Sequence, residues 1–165
     1  MRTTAFKKDE KNATLTIERL FPASQARVWQ ALTDPAILDQ WFGPSPWKVE
    51  TIHMDFRVGG YWHYSMNGPE GEQHFGRTDY LAVESESHFV ASDVFCDADG
   101  KAIESLPRQN IDYCLIAEPD GTRVVTVVRY ASLDDMNKIL AMGMQEGLTM
   151  AQDQLEALLR RETVI

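Results

Sequence analysis

The chain has little cysteine and no long apolar run. Its two cysteines, Cys96 and Cys114, have neither the Cys-x-x-Cys spacing of a redox motif nor the spacing of a zinc site. A disulfide between neighbouring strands is conceivable, but we favour packed, reduced thiols in a cytoplasmic protein. No apolar segment approaches the roughly 20 residues that span a bilayer, so we expect no membrane insertion.

Basic residues are too few to balance the acidic ones. Sixteen Lys and Arg against 25 Asp and Glu leave a formal charge of -9. This charge repels phosphate backbones, so we expect no nucleic-acid partner. The sequence also lacks a glycine-rich phosphate loop, a nucleophile elbow and a paired-carboxylate signature. No established motif therefore indicates an activity.

The length fits one folded unit. A chain of 165 residues can bury roughly 70% of its unfolded surface, and no repeat or linker divides it. Residues 1–12 are polar and mixed in charge, without the apolar centre of a secretory signal. We expect them to form a flexible tail, followed by a single domain over residues 13–165.

Short apolar and aromatic segments separated by turn signals predict a mostly antiparallel sheet. A first strand over Ala13–Leu20 runs into two short helical segments, which stop near Gly43, and the next strand leads to Gly60. The following segments are rich in aromatic and β-branched residues and predict a meander of strands: Tyr61–Asn67, His74–Val83, His88–Cys96, Asn110–Ala117 and Arg123–Tyr130.

Alternation along these strands assigns side chains to faces of the sheet. It places Ile52, Met54 and Phe56 inward, and it places His53 and His63 outward. In Tyr61–Met66 both faces are aromatic, and we expect the inward residues to be Trp62, Tyr64 and Met66.

The last part of the chain predicts one long helix from Leu133 to about Leu159, with Ser132 as its N-cap. Its 27 residues would make a rod of roughly 40 Å, long enough to cross the whole sheet. Gly143 and Gly147 each cost about 1 kcal/mol in a helix interior. They indicate either close packing of the helix on the sheet, or space or a bend beside a ligand. The expected fold is α+β, a curved antiparallel sheet around a C-terminal helix with a hollow between them.

Seven segments together are typical of one protein family: Phe21–Ala23, Val28-Trp29, Thr33–Pro35, Trp41–Pro44, Asp55–Gly60, Met66–Gly71 and Gly143–Gly147. They resemble the START-like, or Bet v 1-like (SRPBCC), superfamily, whose fold is called the helix grip. Within it the sequence is similar to bacterial homologues of the heat-shock chaperone ATPase activator. The resemblance covers nearly the whole chain after residue 12 and implies the same fold and a ligand cavity.

Large aromatic and Met side chains are the main candidates for a binding site. They would either fill a core or line a pocket of roughly 300–1,000 Å³, and the resemblance favours the pocket. Polar members of the set would orient a ligand carbonyl or hydroxyl. The predicted lining consists of Trp41, Trp62, Tyr64, Met66, Phe89, Phe95, Tyr113, Thr126, Met136, Leu140 and Met144.

Asp93 is the candidate catalytic residue. It lies in phase with Phe89 and Phe95, so alternation points its carboxylate inward, where burial would raise its pKa and allow general-acid chemistry. The alternative is a solvent-facing carboxylate near a strand end. We expect no metal and no cofactor, because the four histidines stand singly and Arg108 occupies the position where a calcium loop beginning at Asp97 needs Glu.

Three functions are compatible with the sequence. The first is a module that binds a small, mostly hydrophobic molecule between sheet and helix. The second is a polyketide-cyclase-like or hydrolase-like enzyme acting in the same cavity. The third, from the resemblance, is a protein that interacts with a chaperone. The oligomeric state is open, and a homodimer is compatible with the sequence.

Overall fold

The computed structural model describes residues 2–163, which form eight strands and four helices. Their order along the chain is β1 (Ala5–Asp9), β2 (Thr14–Phe21), α1 (Gln25–Thr33), α2 (Pro35–Trp41), β3 (Lys48–Met54), β4 (Tyr61–Asn67), β5 (Gln73–Glu84), β6 (His88–Cys96), β7 (Gln109–Glu118), β8 (Gly121–Arg129), α3 (Leu133–Ala141) and α4 (Met144–Thr163).

All eight strands join one curved, open antiparallel sheet in the order β1-β2-β8-β7-β6-β5-β4-β3. Helix α4 packs its apolar side on the concave face through Ala151, Leu155, Leu158 and Leu159. The predicted α+β helix-grip fold and the predicted strands are therefore confirmed. Two side-chain caps start the short helices: Ser24 accepts a hydrogen bond from the Arg27 backbone, and Asp34 accepts one from Ala36.

The prediction of a loose tail over residues 1–12 is wrong for Ala5–Asp9. These residues form the edge strand β1, which pairs antiparallel with β2 from Ala5 opposite Glu18 to Asp9 opposite Thr14. The sequence hides this strand because an edge strand can be solvated on both faces, and only Phe6 packs against the core.

One predicted side-chain orientation, that of Ile52, differs in the structure, and His63 points outward as predicted but is more buried than expected. A β-bulge between Thr51 and His53 shifts the register of β3, so Ile52 is 52% exposed, whereas Met54 and Phe56 pack against the core as expected. His63 lies on the outer face but is only 5% exposed, because the segment after β6 covers it. Its Nε2 is 3.2 Å from the Asp97 carbonyl oxygen.

The predicted 27-residue helix is interrupted. Helix α3 begins with Ser132 as its cap, as expected, but ends at Ala141, and α4 begins at Met144. Gly143 between them has φ +87°, a left-handed conformation that a glycine adopts without steric cost. The structure therefore shows a bend at Gly143, and a ligand beside that bend stays a prediction. Gly147 continues inside α4, beside Pro44.

The cysteines are free thiols, as predicted. Cys114 pairs with His88 at the start of β6, whereas Cys96 is the last residue of that strand. The length of β6 thus separates the two sulfur atoms. Likewise the Asp97–Gly100 segment forms a turn, in which the Asp97 carboxylate accepts hydrogen bonds from the backbones of Asp99 and Lys101.

A buried ion pair attaches α4 to the sheet. Arg19 on β2 points inward and donates to Glu156 at 3.0 Å and to Asp153 at 2.7 Å. The side chains of Arg19 and Glu156 are fully buried, whereas that of Asp153 is 44% exposed. Burial alone would raise the pKa of Glu156. Hydrogen bonds from Arg19 and Arg160 outweigh this effect, so the pKa is lowered.

The ion pair generates a first prediction. Glu156→Gln leaves the Arg19 guanidinium buried without its full counter-charge and should lower the free energy of unfolding by about 3 kcal/mol. Asp153→Asn is the matched control, because a half-exposed ion pair contributes under about 1 kcal/mol. Urea denaturation measures both, and equal losses in the two variants would contradict the assignment.

The two helix glycines generate a second prediction. Gly143→Ala forces a side chain into the left-handed region and should cost roughly 1 kcal/mol, although the new Cβ would make only an ordinary contact, 3.9 Å from Glu146 Oε2. Gly147→Ala should stabilise the protein by up to about 1 kcal/mol, because the new Cβ would lie 3.7 Å from Pro44, an ordinary contact. Thermal unfolding compares them, and shifts of the same sign would contradict the interrupted helix.

Candidate functional site

A cleft of about 550 Å³ opens on the concave face, at the end of the sheet that α4 leaves uncovered. Strands β4 to β7 form its floor, and the α2–β3 loop and the α3–α4 junction form its walls. We call it the concave-face cleft. It is lined by Pro44, Trp47, Tyr64, Met66, His74, Phe75, Gly76, Asp93, Val94, Phe95, Leu106, Gln109 and Met142.

The floor of the cleft depends on a glycine between two aromatic residues. Gly76 on β5 lies opposite Tyr64 on β4 and opposite Phe95 on β6. A Cβ atom at position 76 would come within 2.4 Å of the Tyr64 hydroxyl. The missing side chain therefore lets the Tyr64 ring lie across β5, where Phe42 packs edge-on against it at 5.8 Å.

One wall is the loop between α2 and β3, and α4 holds it in place. Gln154 donates to the carbonyl oxygens of Trp41 and Gly43, at 2.9 and 2.7 Å, and accepts from the Ser45 backbone at 2.9 Å. At the mouth, the Trp47 ring stacks on His74 with centroids 5.7 Å apart. The Gln154 side chain thus holds the backbone of the loop that carries Trp47, the aromatic residue of this wall.

Asp93 is the acidic group of the cleft. Thr78 Oγ1 donates to Asp93 Oδ1 at 2.5 Å, and no other hydrogen bond to this carboxylate occurs within residues 2–163. Burial raises its pKa to about 6, although the Thr78 hydrogen bond acts in the opposite direction. The burial of Tyr64, together with the nearby charge of Asp93, raises the pKa of Tyr64 well above the usual phenol value. The inward orientation of Asp93 is therefore the one that the structure shows.

Asp93 belongs to a row of polar residues that crosses the apolar face. On its two sides it lies opposite Thr78 on β5 and Gln109 on β7. Beyond Gln109, Tyr130 donates from its hydroxyl to Gln109 Oε1 at 2.7 Å. We call Thr78, Asp93, Gln109 and Tyr130 the polar row.

The structure brings some of the predicted lining residues together and places the others elsewhere. Tyr64, Met66 and Phe95 line the concave-face cleft, together with Asp93. The others are packed in or against the hydrophobic core beside it: Trp41, Trp62, Phe89, Tyr113, Met136, Leu140 and Met144. Thr126 is buried on β8.

The space expected beneath the C-terminal helix is filled at the centre of the sheet. Trp62 stacks on Tyr64 with centroids 4.2 Å apart, and Phe89 stacks on Tyr113 at 4.5 Å. These pairs and the apolar side of α4 close the middle of the cup. The open volume lies instead beyond the interruption at Gly143, where Met142 reaches the edge of the cleft.

Sequence reasoning missed several lining residues. Gln109 was detectable, because strand alternation puts it in phase with Tyr113, which was predicted to line the pocket. Met142 is 54% exposed and also lines the cleft. Trp47, His74 and Leu106 gave no usable signal, because loop packing, and not strand alternation, brings Trp47 and Leu106 to the site.

Other chemistry is sparse in the part of the chain that the structure describes. Residues 2–163 contain no group of three His, Cys, Asp or Glu side chains able to hold a metal ion. No helix in that range is both long and apolar enough to cross a lipid bilayer. On the outer face, Asp112 accepts hydrogen bonds from His88 at 2.9 Å and Arg129 at 2.5 Å.

Solved structures of several bacterial proteins are similar to this architecture. Protein Ms6760 from Mycobacterium smegmatis is 35% identical, with a TM-score of 0.88 over 95% of this chain and 96% of that one. A protein from Arthrobacter aurescens is 30% identical, with a TM-score of 0.89 over 95% and 91%. The AHSA1 protein from Silicibacter pomeroyi is 25% identical, with a TM-score of 0.73 over 91% and 99%.

A search of the curated proteins finds no match. The profile of one protein family, described as "Activator of Hsp90 ATPase homolog 1-like protein", matches residues 22–160. This range runs from the end of β2 nearly to the end of α4 and includes the whole cleft. The chain therefore belongs to the Activator of Hsp90 ATPase homolog 1-like family.

Proposed function

We propose that the protein binds a small, largely apolar molecule in the concave-face cleft. The observation that carries this proposal is an open volume of about 550 Å³ inside a sheet whose centre is otherwise closely packed. The volume falls in the range of roughly 300–1,000 Å³ that is typical of small-molecule sites. The family's cup-shaped fold supports the same conclusion.

The composition of the lining supports an apolar ligand. Trp47, Phe95 and Leu106 offer apolar surface, and Met66 and Met142 supply flexible thioethers that adapt to ligands of different shape. A ligand of about 20 heavy atoms at roughly 0.3 kcal/mol each would gain about 6 kcal/mol. This gain corresponds to a dissociation constant of tens of micromolar. Interaction with a chaperone and homodimer formation stay predictions from the sequence.

Asp93 favours a second candidate function, an enzyme of the cyclase or hydrolase type. A carboxyl group with a pKa of about 6 is partly protonated near neutral pH and can donate a proton to a substrate oxygen in the cleft. Binding alone requires no such proton transfer. Turnover that is lost in Asp93→Asn while ligand affinity is kept would favour the enzyme.

The binding proposal is tested by filling the cleft. Met66→Trp places an indole in the open volume and should weaken binding of an uncharged, apolar fluorescent probe, Nile red, at least tenfold. Ile116→Trp is the matched control, since it adds the same indole at an exposed position of β7, outside the cleft. Equal probe affinity in the two variants, measured by fluorescence titration, would refute the proposal.

The burial of Asp93 generates a stability prediction. Its folded pKa of about 6 lies above the usual value of 3.8, so the folded state binds more protons than the unfolded state between these pH values. Stability due to Asp93 is therefore present below pH 4 and is lost as pH rises to 6, by roughly 2–3 kcal/mol. Asp93→Asn should stabilise the protein by about 2 kcal/mol at pH 8 and hardly at all at pH 4.

Asp112→Asn is the control with the opposite sign. Burial would raise the pKa of Asp112, but hydrogen bonds from His88 and Arg129 outweigh it and lower this pKa. Its ionised form stabilises the fold, so the variant should be less stable than the parent at pH 8. Urea denaturation at both pH values measures the two variants. Destabilisation by Asp93→Asn at pH 8 would show that burial of the ionised Asp93 carboxylate does not destabilise the folded state.

A further inference from the structure

The polar row is interrupted at its centre. Thr78 bonds to one oxygen of Asp93, and Tyr130 bonds to the side-chain oxygen of Gln109. Asp93 and Gln109 are opposite each other on β6 and β7 and both line the concave-face cleft. Yet within residues 2–163 no hydrogen bond joins them, and neither Asp93 Oδ2 nor Gln109 Nε2 has a hydrogen-bond partner.

The outer members of the row fix what the inner members offer. With Oδ1 occupied by the Thr78 hydroxyl, Asp93 presents Oδ2 as an acceptor. With Oε1 occupied by the Tyr130 hydroxyl, Gln109 presents the two N–H groups of Nε2 as donors. Side chains of directly opposite residues in a sheet are about 5 Å apart at Cβ. The cleft therefore displays one acceptor beside one donor on an apolar floor.

We propose that the cleft recognises an apolar molecule whose polar end is a carboxamide or lactam, with its N–H donating to Asp93 and its C=O accepting from Gln109. Such a ligand end completes the chain of hydrogen bonds from Thr78 to Tyr130. The inference rests on the proposed function, because it names the ligand class of the same cleft.

Other polar ends satisfy only part of this arrangement. A carboxylate brings a second negative charge next to Asp93 and offers no donor, so the two charges repel. An ester accepts from Gln109 but leaves Asp93 without a partner, which costs affinity because a buried polar group stays unpaired. An apolar end leaves both groups unpaired.

Three probes with one naphthalene body test the proposal: 2-naphthamide, 2-naphthoate and methyl 2-naphthoate. Each is titrated into the full-length, ¹⁵N-labelled protein at pH 8, and binding is followed by amide chemical shifts. We expect 2-naphthamide to bind at least tenfold more tightly than 2-naphthoate and at least fivefold more tightly than the ester. Shifts should concentrate at β6 and β7 around Asp93 and Gln109.

Two variants separate the donor from the acceptor. Asp93→Asn removes the negative charge, so the preference for the amide over the carboxylate should fall below threefold. Gln109→Met keeps the length of the side chain but removes the donor, so affinity for 2-naphthamide should fall at least fivefold. Asp112→Asn makes the same chemical change as Asp93→Asn on the outer face of the sheet, and the preference should not change.

The outcomes distinguish this inference from the proposed function. Equal binding of all three probes, lost in Met66→Trp, would overturn the amide preference while leaving an apolar binding site in place. Binding of none of the probes at concentrations up to 5 mM, roughly 100 times the tens of micromolar expected for a full-sized ligand, would overturn both. A tenfold preference that survives Asp93→Asn would also overturn the inference, because it would then come from another group.

Discussion

The buried pair of Arg19 and Glu156 fixes where the last helix lies, and the cleft depends on that position. One turn of α4 makes contacts in two directions. Asp153 and Glu156 bind Arg19 on β2, and Gln154 binds the backbone of the loop between α2 and β3. Helix α4 thus connects strand β2 to the α2–β3 loop, which forms one wall of the cleft. A buried ion pair contributes little net stability compared with apolar packing, but it defines a unique geometry.

The interruption of the C-terminal segment explains why the cleft exists. A continuous helix over residues 133–159 would run across the whole concave face. The left-handed turn at Gly143 ends α3 early and starts α4 in a new direction, so the end of the sheet beyond it is left without a cover. The polar row and the Gly76 floor lie in that region. The bend at Gly143 therefore leaves the cleft open, and the absence of a side chain at Gly76 determines its depth.

Sequence patterns predicted the sheet well and the site only in part. No bulge interrupts the pairing of β4 with β5 or of β6 with β7, so strand alternation correctly predicted the orientations of Tyr64, Met66 and Phe95 and the inward phase of Asp93. The exposure of Ile52 was not predicted because a β-bulge has no clear sequence signature. Strand β1 was not predicted because an edge strand needs no apolar face. Large aromatic residues such as Trp41 and Phe89 occur both in packed cores and in pocket linings. Only the packing in the structure shows that these two fill the core.

The first strand has a practical consequence. Thr4 donates to Gln152 at 2.7 Å and accepts from Arg19 at 3.0 Å, and the Arg2 backbone donates to Glu156 at 3.2 Å. The beginning of the chain therefore shields the charged anchor of the last helix. A shortened protein starting at residue 13, which the composition alone would recommend, would let water reach Arg19. A purification tag should therefore be attached through a spacer ahead of Arg2, and it should not replace Arg2 or the residues of β1.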